Sequence, residues 1–464
     1  MIKDVFYPRS VAVIGASRKE KSVGYDVLKS LLKGGVFNSK YNKPFTGAVY
    51  PVNPKAKAIL GKQCYSSVRE IPGRVDLAII CVPASLVPLI VKECCDKKVG
   101  ASVIISAGFG ELGKEGKEVQ ERMTPMARKA GMRLVGPNCL GVINTDNNMS
   151  ASFAPAMPPK GNVALVSQSG ALIDSIVDWS IQNDYGFSKI VSVGNSADLD
   201  VSDYIEYLGG DKHTKSIALY LEGLTDGQRF MKVCKKVGKK KPIVVLKAGR
   251  TQKGIHAVSS HTGSLAGGYD VFKAACAQSG VTVANSVDGL FNCAYSLAHL
   301  TPAKNRNIGI ITNGGGAGVL CADYCTERGL DVVDLDESTM KKLDATGKMH
   351  PAYSRANPLD IVGDALPERY NAAINVLMKE KYISGLIIIQ TLQAMSDPLE
   401  DAKIVVKAHK KYPNKPIVCC FMGGVFSYEG IAYLREHGIP NFNDPINAAR
   451  AMRALVDRKE YLER

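Results

Sequence analysis

Val163-Ala-Leu-Val-Ser-Gln-Ser-Gly170 runs straight into Ala171-Leu-Ile-Asp-Ser-Ile-Val-Asp-Trp179. A short apolar run, a turn of small residues and then apolar positions at helical spacing describe a buried strand feeding a helix through a tight turn. The same pattern opens at Val11-Ala-Val-Ile-Gly-Ala-Ser17 and at Ile308-Gly-Ile-Ile-Thr-Asn-Gly-Gly-Gly-Ala-Gly318. The three starts lie 152 and 145 residues apart in a chain of 464. That spacing suits domains of roughly 150 residues.

Working outward, each opening is followed by further Val/Ile-rich runs alternating with helical stretches. The first segment holds GAVYPV, DLAIICV, SVIISA and RLVGPN, the second KIVSVG, SIALYLEG and PIVVLKAG, and the third GLDVVDL, SGLIIIQ and PIVCCF. Continuous β-branched runs between helices belong to parallel sheets covered on both faces. The expected fold class is α/β: three doubly wound parallel-sheet domains, over 1–146, 160–300 and 305–464. Asn147–Asn162 and Thr301–Asn307, rich in proline and small polar residues, read as connectors.

A chain that is 45% hydrophobic and 22% charged, with 44 glycines, is neither disordered, collagenous nor a small disulfide scaffold. The formal charge of +15 points to anionic partners. The basic residues are scattered, however, with only short runs such as Lys239–Lys241 and no interleaved aromatics, so nucleic acid is not expected. The twelve cysteines include no CxxC and no cluster able to supply four zinc ligands. They read as small core residues in a reducing, cytoplasmic setting. The longest apolar stretch, Leu77–Val91, is interrupted by Pro83, Ser85 and Pro88 and is shorter than a membrane span.

In such sheets ligands sit beyond the carboxyl ends of the strands, where helix N-termini offer free N–H groups to anions. Each opening is therefore a candidate phosphate cradle as well as a packing turn. The first lacks the dinucleotide fingerprint: Gly15 is followed by Ala16 and Ser17, and the next glycine is Gly24. Its second strand ends in Val52-Asn53-Pro54-Lys55, with a lysine where a ribose-binding acid would stand. An ADP-like ligand with an additional phosphate fits this, leaving coenzyme A and NADP open.

Among the seven histidines, His299 falls in an apolar helical run, and His213, His409 and His437 sit among charged residues expected to be exposed. His261 stands apart, in Ala257-Val-Ser-Ser-His-Thr-Gly-Ser-Leu-Ala-Gly-Gly268. Crowding by small residues and glycines permits close approach, and a neutral imidazole fixed by a carboxylate is a competent nucleophile. Glu222, just after the strand in LYLEG, is placed to supply that carboxylate.

Taken together, Cys81–Ser85 (CVPAS), Gly136–Asn144 (GPNCLGVIN), Val166–Leu172 (VSQSGAL) and Ser259–Gly267 (SSHTGSLAG) resemble the α subunit of the ADP-forming acyl-CoA synthetases, the acetate–CoA ligase (ADP-forming) group, which is similar to the succinyl-CoA synthetase α subunit. The likeness covers Met1 to about Leu300. Thr312–Leu320 (TNGGGAGVL) and Asn357–Ala365 (NPLDIVGDA) look like the additional α/β domain of the ADP-forming members. The resemblance implies a Rossmann-like CoA-binding domain followed by two flavodoxin-like domains, and a reaction in which acyl-CoA, ADP and phosphate give acid, CoA and ATP.

It further implies acyl phosphate and phosphohistidine intermediates, with His261 carrying the phosphoryl group and Glu222 fixing its tautomer. Ser167, Gln168, Ser169 and Gly170 would hold that group. CoA would lie across Gly15, Ser17, Val52, Asn53, Lys55, Val82 and Pro83, with Gly108, Phe109 and Asn138 near the acyl group. The three domains consume the chain, so ADP/ATP and Mg2+ are expected on a separate ATP-grasp β subunit, in an α2β2 assembly. The competing expectations are a non-catalytic CoA-binding regulatory scaffold of the same fold and an NADP-linked dehydrogenase.

Overall fold

In the computed structural model the chain forms two compact units, Met1–Val283 and Ala284–Arg464. Residues 2–262 and 268–464 are described, with all of their side chains except those of 260–262.

The first unit begins with β1 (Ser10–Ile14), β2 (Ala48–Val52), a small ribbon of β3 (Ala58–Ile59) and β4 (Lys62–Gln63), then β5 (Leu77–Ile80), β6 (Ala101–Ile104) and β7 (Arg133–Val135). The five longer strands form a parallel sheet in the order β2-β1-β5-β6-β7. Every residue of β1, β5 and β6 is buried, as covering both faces of a sheet requires.

A second sheet contains β8 (Gly141–Asn144), β9 (Met149–Ser152), β10 (Lys160–Ser167), β11 (Phe187–Ser192), β12 (Ser216–Leu221), β13 (Ile243–Lys247) and β14 (Val281–Ala284), in the order β14-β13-β12-β10-β11-β8-β9. Here the expectation of a connector over Asn147–Asn162 is corrected, since β9 and the start of β10 lie within it. The hairpin β8–β9 adds antiparallel to the edge of an otherwise parallel sheet. Met149-Ser-Ala-Ser152 hides its strand character because three of its four residues are small, two of them serines, and yet all are wholly buried. The Ser150 and Ser152 hydroxyls lie 3.1 Å apart and satisfy each other.

One apolar core runs through both sheets, joining Phe6, Val11 and Leu77 to Val142, Val166 and Tyr204. Phe6 stacks on Tyr207 with ring centroids 4.8 Å apart and meets Tyr204 edge-on at 6.4 Å. Burying a ring of this size contributes about 1.5–3 kcal/mol. The buried Asp198 carboxylate accepts from Arg128 Nε (2.6 Å), Arg133 Nε (2.7 Å) and the Leu134 N–H (2.9 Å). This ties the loop after β11 to the edge of the first sheet. Shared core and shared polar lock explain why the two sheets form one unit.

The second unit holds β15 (Asn307–Thr312), β16 (Asp331–Val332), β17 (Leu359–Asp360), β18 (Gly385–Thr391) and β19 (Ile417–Met422), ordered β16-β15-β18-β19 with β17 also paired to β15. The helix Val287–His299 packs on the final helix, Pro445–Leu462. No described helix is long and apolar enough to cross a membrane.

All three sheets share one device. The first parallel strand of each lies between strands whose connections leave in opposite directions: β1 between β2 and β5, β10 between β11 and β12, β15 between β16 and β18. A crevice opens at the carboxyl ends of strands at such a reversal.

Candidate functional site

At the reversal of the second sheet, β10 ends in Ser167 and the helix Gly170–Gln182 begins three residues later. The Ser167 hydroxyl accepts the Ser169 N–H at 3.1 Å and donates to the Ser169 carbonyl at 2.8 Å, which closes the turn. Ser169 then caps the helix by accepting the Leu172 N–H at 3.3 Å. Gln168 fastens this turn to the neighbouring strand. Its backbone N–H donates to the Tyr220 carbonyl (3.1 Å), and its side-chain oxygen accepts the N–H groups of Glu222 (2.5 Å) and Gly223 (3.1 Å). Its amide nitrogen donates to the Gly223 carbonyl at 3.0 Å.

Glu222 is thereby held beside the cradle, and it is only 6% exposed. Lys247, at the end of the adjacent β13, donates to the Glu222 carbonyl at 2.8 Å. Burial pulls the Lys247 ammonium below its ordinary value, against the opposing pull of the Glu222 carboxylate. Leu221 and Lys247 are register partners. The helix Gln252–Thr262 therefore leaves from the strand next to the one that carries Glu222. His261 is the penultimate residue of that helix, and its side chain lies outside the described residues, as do Gly263–Gly267.

At the reversal of the first sheet, Gly15 has φ +89° and donates its N–H to the Val52 carbonyl at 3.0 Å. A Cβ on Gly15 would stand 2.5 Å from the Cys81 carbonyl oxygen, and one on Gly24 would stand 2.0 Å from the Gly15 carbonyl oxygen. Close backbone approach, rather than a dinucleotide fingerprint, is what these two glycines supply. Asn53 braces the crevice by donating to the Ala16 carbonyl (2.7 Å) and accepting the Lys55 N–H (2.8 Å). The Ser17 hydroxyl accepts the Lys19 N–H at 3.0 Å. Lys55 itself is exposed. Val82 and Pro83 follow β5 on the other side of the reversal, and the Val82 carbonyl accepts the Ser106 hydroxyl at 2.5 Å.

A cavity of about 620 Å³ connects the two crevices, lined by Val82, Ser106, Asn138, Gln168, Ser169 and Gly170 among others. A second cavity of about 510 Å³ is lined by Glu111, Asn195, Glu222 and Asp226, with Asn138 and Gln168 again in its wall. The structure thus brings together Val82, Asn138, the Ser167–Gly170 turn and Glu222, and it sets Gly15, Ser17, Val52, Asn53, Lys55 and Pro83 along the first crevice beyond the cavity walls.

Glu111 organises the loop after β6. Its Oε1 accepts the Gly108 N–H (2.5 Å) and the Phe109 N–H (3.1 Å), and its Oε2 accepts from Asn195 Nδ2 at 2.5 Å. Burial alone would raise this carboxyl, but the Gly108, Asn195 and Phe109 donors outweigh it and hold the group below the usual carboxylate range. Asn138 in turn donates to Asn195 Oδ1 at 3.3 Å. The Phe109 ring, 1% exposed, belongs to the apolar core of the first sheet. Only the backbone of Phe109 serves this loop.

The third opening repeats the geometry of the second. Thr312 Oγ1 accepts the Gly314 N–H and donates to the Gly314 carbonyl, both at 3.0 Å, while Asn313 exchanges hydrogen bonds with the Thr391 backbone at 2.7 and 2.8 Å. A Cβ on Gly314 or Gly318 would come within 2.7–2.8 Å of Thr391 or Thr312. Packing accounts for those two glycines.

Sequence reasoning missed Glu111, Asn195 and Asp174, the last of which also lines the larger cavity. Asn195 was findable, since it lies just past the carboxyl end of β11. The histidines expected to be exposed are half-buried instead: His213 Nε2 lies 3.3 Å from Asp146 Oδ2, and His437 Nδ1 lies 2.9 Å from the Tyr433 carbonyl. His409 is half-buried as well.

Three families match in succession: a CoA binding domain over residues 9–145, a succinyl-CoA ligase like flavodoxin domain over 160–297 and a ligase-CoA domain over 308–456. The chain is similar to acetate–CoA ligase [ADP-forming] I of Archaeoglobus fulgidus, with 46% identity over 97% of this chain and 63% of that protein. It is 43% identical to acetate–CoA ligase [ADP-forming] II subunit alpha of Pyrococcus furiosus, over 99% of this chain and 98% of that one. The chain therefore spans less than two thirds of the first relative and nearly all of the second. Among solved structures it is similar to the dinucleotide forming acetyl-coenzyme A synthetase 1 of Ca. Korarchaeum cryptofilum in complex with phosphate and ADP, at 34% identity, with a TM-score of 0.91 over 100% of this chain and 98% of that one.

Proposed function

The chain belongs to the family of ADP-forming acetate–CoA ligases, and from that premise we propose that it works as the α subunit of such an enzyme, converting acyl-CoA, ADP and phosphate reversibly into acid, CoA and ATP. The observation that carries this reading is the cradle Ser167–Gly170, tied through Gln168 to Glu222 and opening on the same cavity as Val82 and Asn138.

CoA lies across Gly15, Ser17, Val52, Asn53, Lys55, Val82 and Pro83, its phosphates drawn to the exposed Lys55. Phosphate bound at the Ser167–Gly170 turn attacks the thioester. The N–H groups at the start of the helix Gly170–Gln182 stabilise the anion, and the acyl group sits between Asn138 and the Gly108–Phe109 backbone. The phosphoryl group of the resulting acyl phosphate passes to a ring nitrogen of His261. The Glu222 carboxylate accepts from the other ring nitrogen, fixing the tautomer and steadying the charged phosphohistidine.

ADP and Mg2+ bind on a second polypeptide of ATP-grasp fold, in an α2β2 assembly. A second polypeptide is supported by the Pyrococcus relative, which matches this chain over nearly its whole length and is named subunit alpha. The acid is a small carboxylate such as acetate. The twelve free thiols favour a reducing, cytoplasmic location.

The test is to combine the chain with its partner and γ-labelled ATP and isolate an acid-labile phosphoprotein. His261→Asn should abolish the label. Full labelling of that variant would refute the phosphohistidine assignment.

A further inference from the structure

Asp174 stands one helical turn beyond Gly170 on the helix that opens at the phosphate cradle. Its side chain leans back towards that turn, as helical side chains do, and it lines the cavity shared by Val82, Asn138 and Ser169–Gly170. Two observations single it out. Its Oδ1 is sealed from solvent and has no hydrogen-bond partner. It is also the one carboxyl among the described lining residues, and no lysine, arginine or histidine accompanies it there. The other titratable groups in the wall are the Cys81 and Cys139 thiols, both pushed up by burial and so neutral. Asp178, one turn further along the helix, is exposed. A half-buried acid without a partner in a cavity of this size calls for an explanation.

The geometry points to Asp174 as the acid–base residue of the thioester step, exchanging a proton with the sulfur of CoA. This rests on the reading above, in which CoA enters past Val82 and phosphate sits on Ser169–Gly170, so that thioester and phosphate meet in front of Asp174. In the direction of thioester cleavage, a phosphate oxygen attacks the acyl carbon and the C–O bond forms. The C–S bond then breaks with its electron pair on sulfur, and the protonated carboxyl delivers its proton to that sulfur, releasing CoA as the thiol. In the reverse direction the carboxylate takes the thiol proton as sulfur attacks the acyl phosphate, and the bond from the acyl carbon to the phosphate oxygen breaks.

Burial pushes the Asp174 carboxyl up to about 6, close to the operating range in which a group can serve in both directions. The start of the helix favours the ionised form, but that influence fades within the first turn, and Asp174 is the fifth helical residue. Thioester synthesis should therefore rise with pH through about 6, because the carboxylate is the base, and cleavage should fall over the same interval, because the acid is the donor.

The experiment compares wild type, Asp174→Asn and Asp174→Glu, each assembled with the nucleotide-binding partner. Two readouts are followed: labelling of the chain by γ-labelled ATP, which needs no CoA, and synthesis of acetyl-CoA from acetyl phosphate and CoA. Removing a general acid–base typically costs 10²–10⁴-fold. D174N is expected to label as wild type does, to lose at least about 100-fold in thioester synthesis and to lose the rise near pH 6, with D174E regaining part of the rate. Synthesis by D174N within threefold of wild type on an unchanged pH profile would overturn the proposal. Loss of labelling together with synthesis would also overturn it, assigning Asp174 to the cradle instead. Wild type that takes no label would fail the underlying reading, which is a separate result.

Discussion

Replacing Gln168 with alanine probes the link between the Ser167–Gly170 turn and Glu222. The substitution keeps the backbone bond to Tyr220 but removes three side-chain bonds: the two N–H groups of Glu222 and Gly223 lose their acceptor, and the Gly223 carbonyl loses its donor. At about 1 kcal/mol net for each bond the full loss is about 3 kcal/mol. Gln168 borders both cavities, so water can take over part of the bonding. The expected destabilisation is then about 2 kcal/mol, which lowers the melting temperature by roughly 3–4 °C in a unit of this size. In the mechanism proposed above, a loose Glu222 backbone frees the tautomer of His261, and 1.4 kcal/mol of lost positioning corresponds to about tenfold less phosphoenzyme. Gln168→Glu separates the two effects. It keeps both acceptor bonds, so it should melt closer to wild type, yet it sets a negative charge at the cradle and should label no better than Q168A. The assay is a thermal melt paired with the yield of acid-labile label. Q168A melting within 1 °C of wild type at full label would refute the tie, and full labelling of Q168E would show that the turn meets no phosphoryl group.

Two further outcomes follow from particular contacts. Gly24→Ala places a Cβ 2.0 Å from the Gly15 carbonyl oxygen, backbone against backbone, so the helix Val23–Lys33 must shift off the turn. A loss of about 1–3 kcal/mol in stability and weaker CoA binding by calorimetry are expected, and unchanged affinity would remove Gly15 from the CoA site. Burial, partly offset by the Gln390 amide, pushes the Asp401 carboxyl up to about 7. An acid raised on folding binds its proton more tightly in the native state, so its contribution to stability is present at low pH and is lost as pH rises from about 4 to about 7. Asp401→Asn should flatten that slope in urea titrations, and an unaltered slope would show that the group does not titrate there.

The strands were legible because each is a short apolar run bounded by turn residues, a signal carried by neighbours in sequence. Val11–Ile14, Val163–Val166 and Ile308–Ile311 all lie inside observed strands. Met149–Ser152 was not legible, because a buried strand of mostly small residues, half of them serine, has no continuous apolar run and is recognised only by what it pairs with. The site divides in the same way. Ser167–Gly170 announced itself by local chemistry, whereas Glu111 and Asp174 are ordinary acidic residues until folding surrounds them with two N–H donors in one case and an unpartnered cavity wall in the other.

By itself the sequence determined the alternation of strands and helices and the three glycine or serine turns, and it singled out His261 and Glu222 as candidates. These depend on spacing within a few residues, where backbone geometry and side-chain size act directly. The tertiary structure alone decided that β10 lies between β11 and β12, which brings Gln168 against Glu222, 54 positions further along the chain. It alone joined two sheets over one core, so that the crevice beside Val82 and the cradle at Ser169 open on one cavity. The physical reason is that strand order and burial are set by long-range packing, and the environment that makes a carboxyl a positioning group or a proton donor exists only once that packing has formed.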